Sequence, residues 1–282
     1  MGTLYIIGTP IGNLSDISKR VIETLEMVDI VACEDTRVSI NLMRYLNLNK
    51  KLVSYHKFNE KEKSIDLIKE LQDGKNIGLI SDAGCPCISD PGSILAGVAI
   101  KNGIEVISIP GPSAIITSLM SSGMDTSTFT FYGFLDRENK KFLETLDNIK
   151  NDSSHLSIIY ESPKRIIKTL EKIEEYLDNP YICLSNDLTK KFEKKYYGTC
   201  HEVIDSLKNN PNCELGEYVL IIEKDKENNS LNNDISMEAL IIDEMIKNNC
   251  TMKDAIKLVS EKYHINKNMV YNASLNIKKI MG

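Results

Sequence analysis

Asn76-Ile-Gly-Leu-Ile-Ser-Asp-Ala-Gly-Cys-Pro-Cys-Ile-Ser-Asp-Pro-Gly92 is the stretch on which the fold turns. Ile77–Ile80 has the apolar run of a short buried strand. The loop that follows is punctuated by Asp82 and Asp90, Gly84 and Gly92, Pro86 and Pro91. Glycine permits close backbone approach, and proline removes an amide donor and stiffens the chain. A rigid acidic loop at the end of an apolar strand suits an open α/β sheet, whose ligand crevice lies outside the carboxyl ends of its strands. Spacing alone is equally compatible with a tight surface connection.

Outward from this loop, strands and helices alternate. Leu4–Ile7 reads as a strand, followed by Gly8-Thr-Pro-Ile-Gly-Asn-Leu14 and a helix capped by Ser15, with Ile17, Val21, Ile22 and Leu25 on one face. Ile30–Cys33 is the next strand, so this is a βαβ unit. Its glycine loop lacks a P-loop Lys-Ser/Thr and dinucleotide spacing, which argues against ATP, GTP and NAD. Glu34-Asp-Thr-Arg37 stands at a strand's carboxyl end, where it suits a cleft and equally a helix start over 38–46. A short strand over 52–55 ends in His56. A helix over 60–72 turns Ile65, Ile68 and Leu71 inward and stops at Gly74. Further elements are a helix over 93–101, a strand over 105–109, Pro110-Gly-Pro-Ser-Ala114 and a helix over 115–121. This order indicates a mainly parallel, helix-covered sheet.

Beyond Gly123 the pattern changes to strands over 128–132, 156–160, 181–184, 195–198 and 217–222. Helices fall over 138–150 and from Pro163, in a first turn, to 177. The expectation is a second α/β domain with more antiparallel pairing. Residues 225–234 read as a polar linker. In the tail, Thr251 caps one helix and Asn266 another, joined around His264-Ile265 in a helix-turn-helix-like segment.

The chain has 282 residues, 42% hydrophobic and 26% charged, which fits a globular protein of two domains. It shows no signal-peptide pattern and no bilayer-spanning run, and the expected location is cytoplasmic. A net charge of −6 argues against coating nucleic acid by charge alone. Local basic features remain at Lys164-Arg165 and at Lys190, Lys191, Lys194 and Lys195, which serve a solvated face or a phosphate backbone equally well. Seven scattered cysteines include one close pair, Cys85 and Cys87, with no second pair to complete a zinc site, so no metal is expected.

The ordered set Gly8–Leu14, Glu34-Asp-Thr-Arg37, Ser81–Gly84 with Ile88–Gly92, Gly111–Ala114, Tyr160-Glu-Ser-Pro163 with Arg165, and Leu188-Thr-Lys190 resembles the ribosomal RNA small subunit methyltransferase I family of the tetrapyrrole methylase superfamily. The resemblance covers about residues 3–224 and extends to the helical tail. It implies a class III methyltransferase fold: an N-terminal α/β domain (1–115), a second α/β domain (116–224) completing an interdomain cleft, a linker (225–234) and a helical extension (235–282). It further implies a homodimer, S-adenosylmethionine as cofactor, and 2′-O-methylation of cytidine 1402 of 16S ribosomal RNA, met in the small ribosomal subunit.

Carried onto this sequence, the cofactor set is Pro10, Ile11, Gly12, Asp82, Ala83, Gly84, Ile88, Ser113, Ala114, Tyr160 and Leu188. The candidate catalytic residues are Glu34 and Asp35 as base, with Lys190 able to serve only at a lowered pKa. Arg37, Lys164, Arg165, Lys190 and Lys191 are the candidate RNA contacts. The sequence departs from the family pattern at Cys85 and Cys87 (usually Thr and Gly), at Lys164 (often His) and at Asn186-Asp187 (usually Arg-Glu). Two other readings stay open on the residues: methylation of a small tetrapyrrole precursor on the same fold, and a non-catalytic RNA-binding assembly factor.

Overall fold

The computed structural model describes residues 1–224, 236–263 and 267–281. The expected linker and the turn His264-Ile265 with Asn266 lie outside the described residues. Residues 1–224 form one compact unit, and the C-terminal helices another.

The first sheet takes β1 (Leu4–Ile7), β2 (Ile30–Cys33), β3 (Lys51–Ser54), β4 (Ile77–Ile80) and β5 (Val106–Ile109) in the order β3-β2-β4-β1-β5, all parallel. Strands β2 and β4 are buried at every position, as continuous apolar runs covered on both faces must be. One face packs on α3 (Glu60–Gln72) and α4 (Ser93–Lys101), the other on α1 (Lys19–Met27) and α2 (Thr36–Tyr45). Because all five strands run the same way, the loops from Gly8, Glu34, His56, Ser81 and Pro110 leave the sheet at one end.

Two local expectations change. Ser18, not Ser15, caps α1 by accepting the Val21 amide. Asn13 takes the Ser15 amide first, winding Leu14–Asp16 into a 3-10 turn. In α3 the inward stripe is Ser64, Leu67, Ile68 and Leu71, while Ile65 is exposed. The Tyr55 hydroxyl, buried with Ser64 at 3.1 Å from its Oγ, sets that rotation.

The second sheet is mixed, in the order β6-β7-β10-β8-β9: β6 (Phe129–Phe134), β7 (Leu156–Glu161), β8 (Tyr181–Asn186), β9 (Lys194–Thr199) and β10 (Tyr218–Glu223). Only β6 and β7 are parallel; the other three pairings are antiparallel. α6 (Asn139–Asn151), α7 (Ile166–Tyr176) and α8 (Cys200–Lys208) cover one face. Helix α7 begins after Pro163 rather than with it, because the Arg165 and Ile166 amides close a turn onto Ser162 O. Helix α8 has no counterpart in the sequence reading; a capping box between Thr199 and Glu202 starts it.

On the other face α5 (Ala114–Met120) packs through Ile115 and Leu119 onto Leu156, Ile158, Val219 and Ile221, joined by Ile11 from the first β1 loop. The 115/116 position falls inside this helix. The first β1 loop and α5 thus share a core with the second sheet, and the seam lies beside it.

The C-terminal unit holds α9 (Met237–Asn248), α10 (Met252–Lys262) and α11 (Lys267–Met281) around Leu240, Ile241, Val259 and Val270. Thr251 caps α10 as its sequence indicates. Buried Glu244 pairs with the Lys262 ammonium and accepts a hydrogen bond from the Asn248 amide. Among the described residues no helix is long and apolar enough to cross a membrane.

Candidate active site

The loops after β1, β4 and β5 are lashed together before they reach the seam. Thr9 and Gly84 exchange backbone hydrogen bonds at 2.8 and 3.1 Å, and the Thr9 hydroxyl donates to Ser81 O and Gly84 O. Gly8 and Gly111 pass so closely that a Cβ on Gly8 would stand 2.7 Å from the Gly111 nitrogen. At Gly84, with φ +81°, a Cβ would press on Ile11 at 3.3 Å. Bare backbone is required at these crossings, which is why the chain is glycine there.

Between these loops and the second sheet lies a cavity of about 430 Å³. That is the size of a small-ligand pocket. The first half contributes Ile11, Glu34, Asp82, Ala83, Gly84, Ile88, Ser113 and Ala114; the second contributes Tyr160 and Leu188. Ten of the expected residues therefore meet. Pro10 and Gly12 are not in the lining; Gly12 lies under the Lys190 side chain, whose Cγ would meet a Cβ there at 2.5 Å. The lining also includes Cys85, Asp90, Phe134, Glu161, Glu217 and Val219, which the sequence did not single out for the site.

No Lys, Arg or His lines this cavity, whereas carboxylates do. Asp82 accepts the Asp35 amide at 3.1 Å, tying the end of β2 to the β4 loop. Burial and repulsion from neighbouring carboxylates raise the pKa of Glu34 and of Asp82, and they raise that of Asp90 to about 6. Tyr160, half-buried and close to Asp90, is raised to about 12 and stays neutral. Its ring meets Phe131 edge-on at 4.9 Å and Phe134 at 5.4 Å. Phe131 and Phe134 reach the same ring because the β6–β7 register shifts between Phe131 and Gly133.

Around the cavity the charges are already engaged. Asp35 caps α2 and takes the Arg37 guanidinium through both oxygens, and those hydrogen bonds hold its pKa down to about 2. Burial works against the charge on Lys190, but hydrogen bonds to Asp187 (2.8 Å) and Glu217 (2.9 Å) outweigh it, so its pKa is raised. Arg165 donates to Leu135 O at 3.0 Å and faces buried Glu161, which holds Thr169 and the Ser162 amide. Lys164 and Lys191 are exposed at the surface, Lys191 lying over the Phe192 ring.

The departures are absorbed locally. Cys87 adopts φ +71°, the backbone that glycine would take. Cys85 turns its thiol to Pro112 O at 3.6 Å. Asn186 is buried and donates to Leu215 O and Glu217 O, so it braces the loop before β10. All seven cysteines are free, and among the described residues no group of His, Cys, Asp and Glu is placed to hold a metal.

Comparison places this arrangement among known proteins. Residues 3–204 match the family described as Tetrapyrrole (Corrin/Porphyrin) Methylases. The chain is 41% identical over 276 residues to ribosomal RNA small subunit methyltransferase I of Haemophilus influenzae, covering 97% of this chain and 96% of the relative. It is 37% identical over 275 residues to the protein of that name from Escherichia coli O157:H7, covering 97% and 95%. Among solved structures, diphthine synthase superposes with a TM-score of 0.62 at 13% identity, over 78% of this chain and 90% of that one. Uroporphyrin-III-C-methyltransferase from Thermus thermophilus does so with 0.56 at 15% identity, over 79% and 95%. At such identities the two structures attest the fold alone.

Proposed function

The chain belongs to the ribosomal RNA small subunit methyltransferase I family of tetrapyrrole methylases, and from that membership we propose that its cleft methylates the ribose 2′-oxygen of cytidine 1402 in 16S ribosomal RNA, using S-adenosylmethionine. The observation that carries the chemistry is a cavity lined by carboxylates and aromatic rings with no cationic side chain. That donor set fits a sulfonium cation, and the apolar Ile11, Ala114, Leu188 and Val219 fit an attached purine. When bound, S-adenosylmethionine supplies an electrophilic methyl group and departs as a neutral thioether.

The protein's own part is to hold the nucleophile in line and accept its proton. Positioning alone contributes about 7 to 11 kcal/mol in favourable cases. Glu34 is the base on this reading: it lines the cavity, burial and the neighbouring Asp82 raise its pKa, and neither constraint on Asp35 applies to it. Asp82 positions the β2 end through the Asp35 amide, and Asp90 adds negative charge facing the cation. Lys190 braces the wall by joining Asp187 to Glu217. Arg37, Lys164 and Lys191 remain on the outer surface, where RNA phosphates would meet them.

A homodimer accords with the exposed apolar residues Ile116 and Met120 of α5 and Tyr197 of β9, which hydrogen-bonds Ser121 O at 2.8 Å and so adjoins that helix. Transfer of a tritiated methyl group to small ribosomal subunits, with uroporphyrinogen as the competing substrate, tests the reaction. Primer extension at low nucleotide concentration on ribosomal RNA from a deletion strain tests the position. Label on uroporphyrinogen alone would overturn the proposal.

A further inference from the structure

The most exposed large hydrophobic side chain among the described residues is Phe58, at 94%. It stands in the loop His56-Lys57-Phe58 between β3 and α3, at the end of the sheet where the cavity opens. The loop is adjacent to the candidate base: the Tyr55 amide donates to Cys33 O at 2.8 Å, and His56 lies within electrostatic reach of Glu34. Resting on the RNA methylation reading above, we propose that this loop is a stacking arm that holds an unpaired base of the RNA strand beside the target nucleotide.

The loop is built to stay in place. The Asn59 side chain accepts the His56 amide at 2.8 Å and donates to Ser54 O at 3.1 Å. Tyr55, 1% exposed, hydrogen-bonds Ser64. Glu60 takes the Gly92 amide at 2.9 Å, which couples the arm to the loop bearing Asp82 and Asp90. A flexible tip could hide a phenyl ring, but a fixed one presents it.

Its chemistry matches single-stranded RNA. The His56 ring meets Phe58 edge-on, 6.1 Å between centres, and leaves the phenyl free toward solvent. Exposed Lys57 sits between the two rings in sequence, and among the described residues no carboxylate pairs with it. A cation interleaved with aromatic rings is what sequence-tolerant RNA strands bind, because every base has a π-face and every nucleotide a phosphate. A ribose buried enough to meet Glu34 must also leave its helical stack, and its neighbours then need a surrogate for the lost stacking.

The test is steady-state methylation of small ribosomal subunits lacking the modification. Phe58→Ala is expected to raise KM for subunits about 5- to 100-fold, while kcat, melting temperature and calorimetric affinity for S-adenosylmethionine stay within about twofold or a degree of wild type. Phe58→Tyr should retain wild-type KM. Lys57→Ala should lower the slope of log(kcat/KM) against log salt by about 0.7 to 1. An unchanged KM in Phe58→Ala overturns the arm, and so does a loss traced to cofactor affinity or to dissociation of a dimer. Wild-type protein inactive on subunits would instead sink the RNA reading and the arm with it.

Discussion

At the residue scale, one cavity is lined by three carboxylates whose pKa values are all raised, Glu34, Asp82 and Asp90, and each responds differently to substitution. Glu34→Gln removes a proton acceptor, and general-base contributions of this kind are worth about 10² to 10⁴ in rate. The expected outcome is a fall of that size in kcat with cofactor affinity reduced at most a few-fold; equal losses in both would reassign Glu34 to binding. Asp90 supplies the pH test. Its pKa in the folded state is raised from 3.8 to about 6, so the native state holds the proton more tightly than the unfolded one. The stability this confers is complete below about pH 3.8, fades as pH rises, and is gone above about pH 6. Above pH 6 the folded protein carries the cost of a half-buried, repelled charge. Asp90→Asn is expected to stabilise by about 1 kcal/mol at pH 7.5, discounted for partial exposure, with the gain vanishing below pH 4. Thermal melts across that range check it, and a constant gain at all pH values would point to packing instead.

At the scale of elements, the site depends on loops that cross and on helices that merely support them, and the two can be separated. Gly8→Ala would put a Cβ 2.7 Å from the Gly111 backbone, where no flexible group can yield. Its expected effect is at least a tenfold loss of affinity for S-adenosylmethionine by calorimetry, with the helical circular dichroism retained. Thr199→Ala removes one side of the α8 capping box, on the face of the second sheet away from the seam. It should cost about 1 kcal/mol and about 2 to 4 °C in melting temperature while leaving that affinity unchanged. The elements themselves were largely legible: β1, β2, β4, α3 and α4 fall where periodicity and stop signals put them, because each is an uninterrupted run with clear ends. Helix α8 was not, since Thr199-Cys-His-Glu follows a strand without a turn signal and only the capping box marks the change. The β6 shift was equally hidden, as a period-two reading puts Phe131 and Phe134 on opposite faces.

At the scale of the whole molecule, the seam between two sheets concentrates the chemistry, and α5 presents its outer face away from that seam. Ile116, Met120 and Tyr197 are 48%, 82% and 47% exposed. If this surface joins two copies, Met120→Glu should convert a dimer to a monomer in light scattering at micromolar concentration, because an unpaired charge in an apolar interface is costly. An unchanged mass would move the interface elsewhere.

By itself the sequence determined the alternation of strands and helices, the glycine crossings and the acidic loop, and the ordered motifs that mark the family. These are local properties, set by periodicity, turn chemistry and the sterics of bare backbone. Only the tertiary structure separated Glu34 from Asp35, two adjacent carboxylates with the same sequence credentials. One faces a half-buried cavity beside Asp82 and Asp90, and the other is spent on a helix cap and a guanidinium. Likewise only the fold brought Phe134, Glu217 and Asp90 to one pocket and left Phe58 exposed in the β3–α3 loop. Burial and charge proximity decide what an ionisable group can do, and both are properties of distant chain segments meeting.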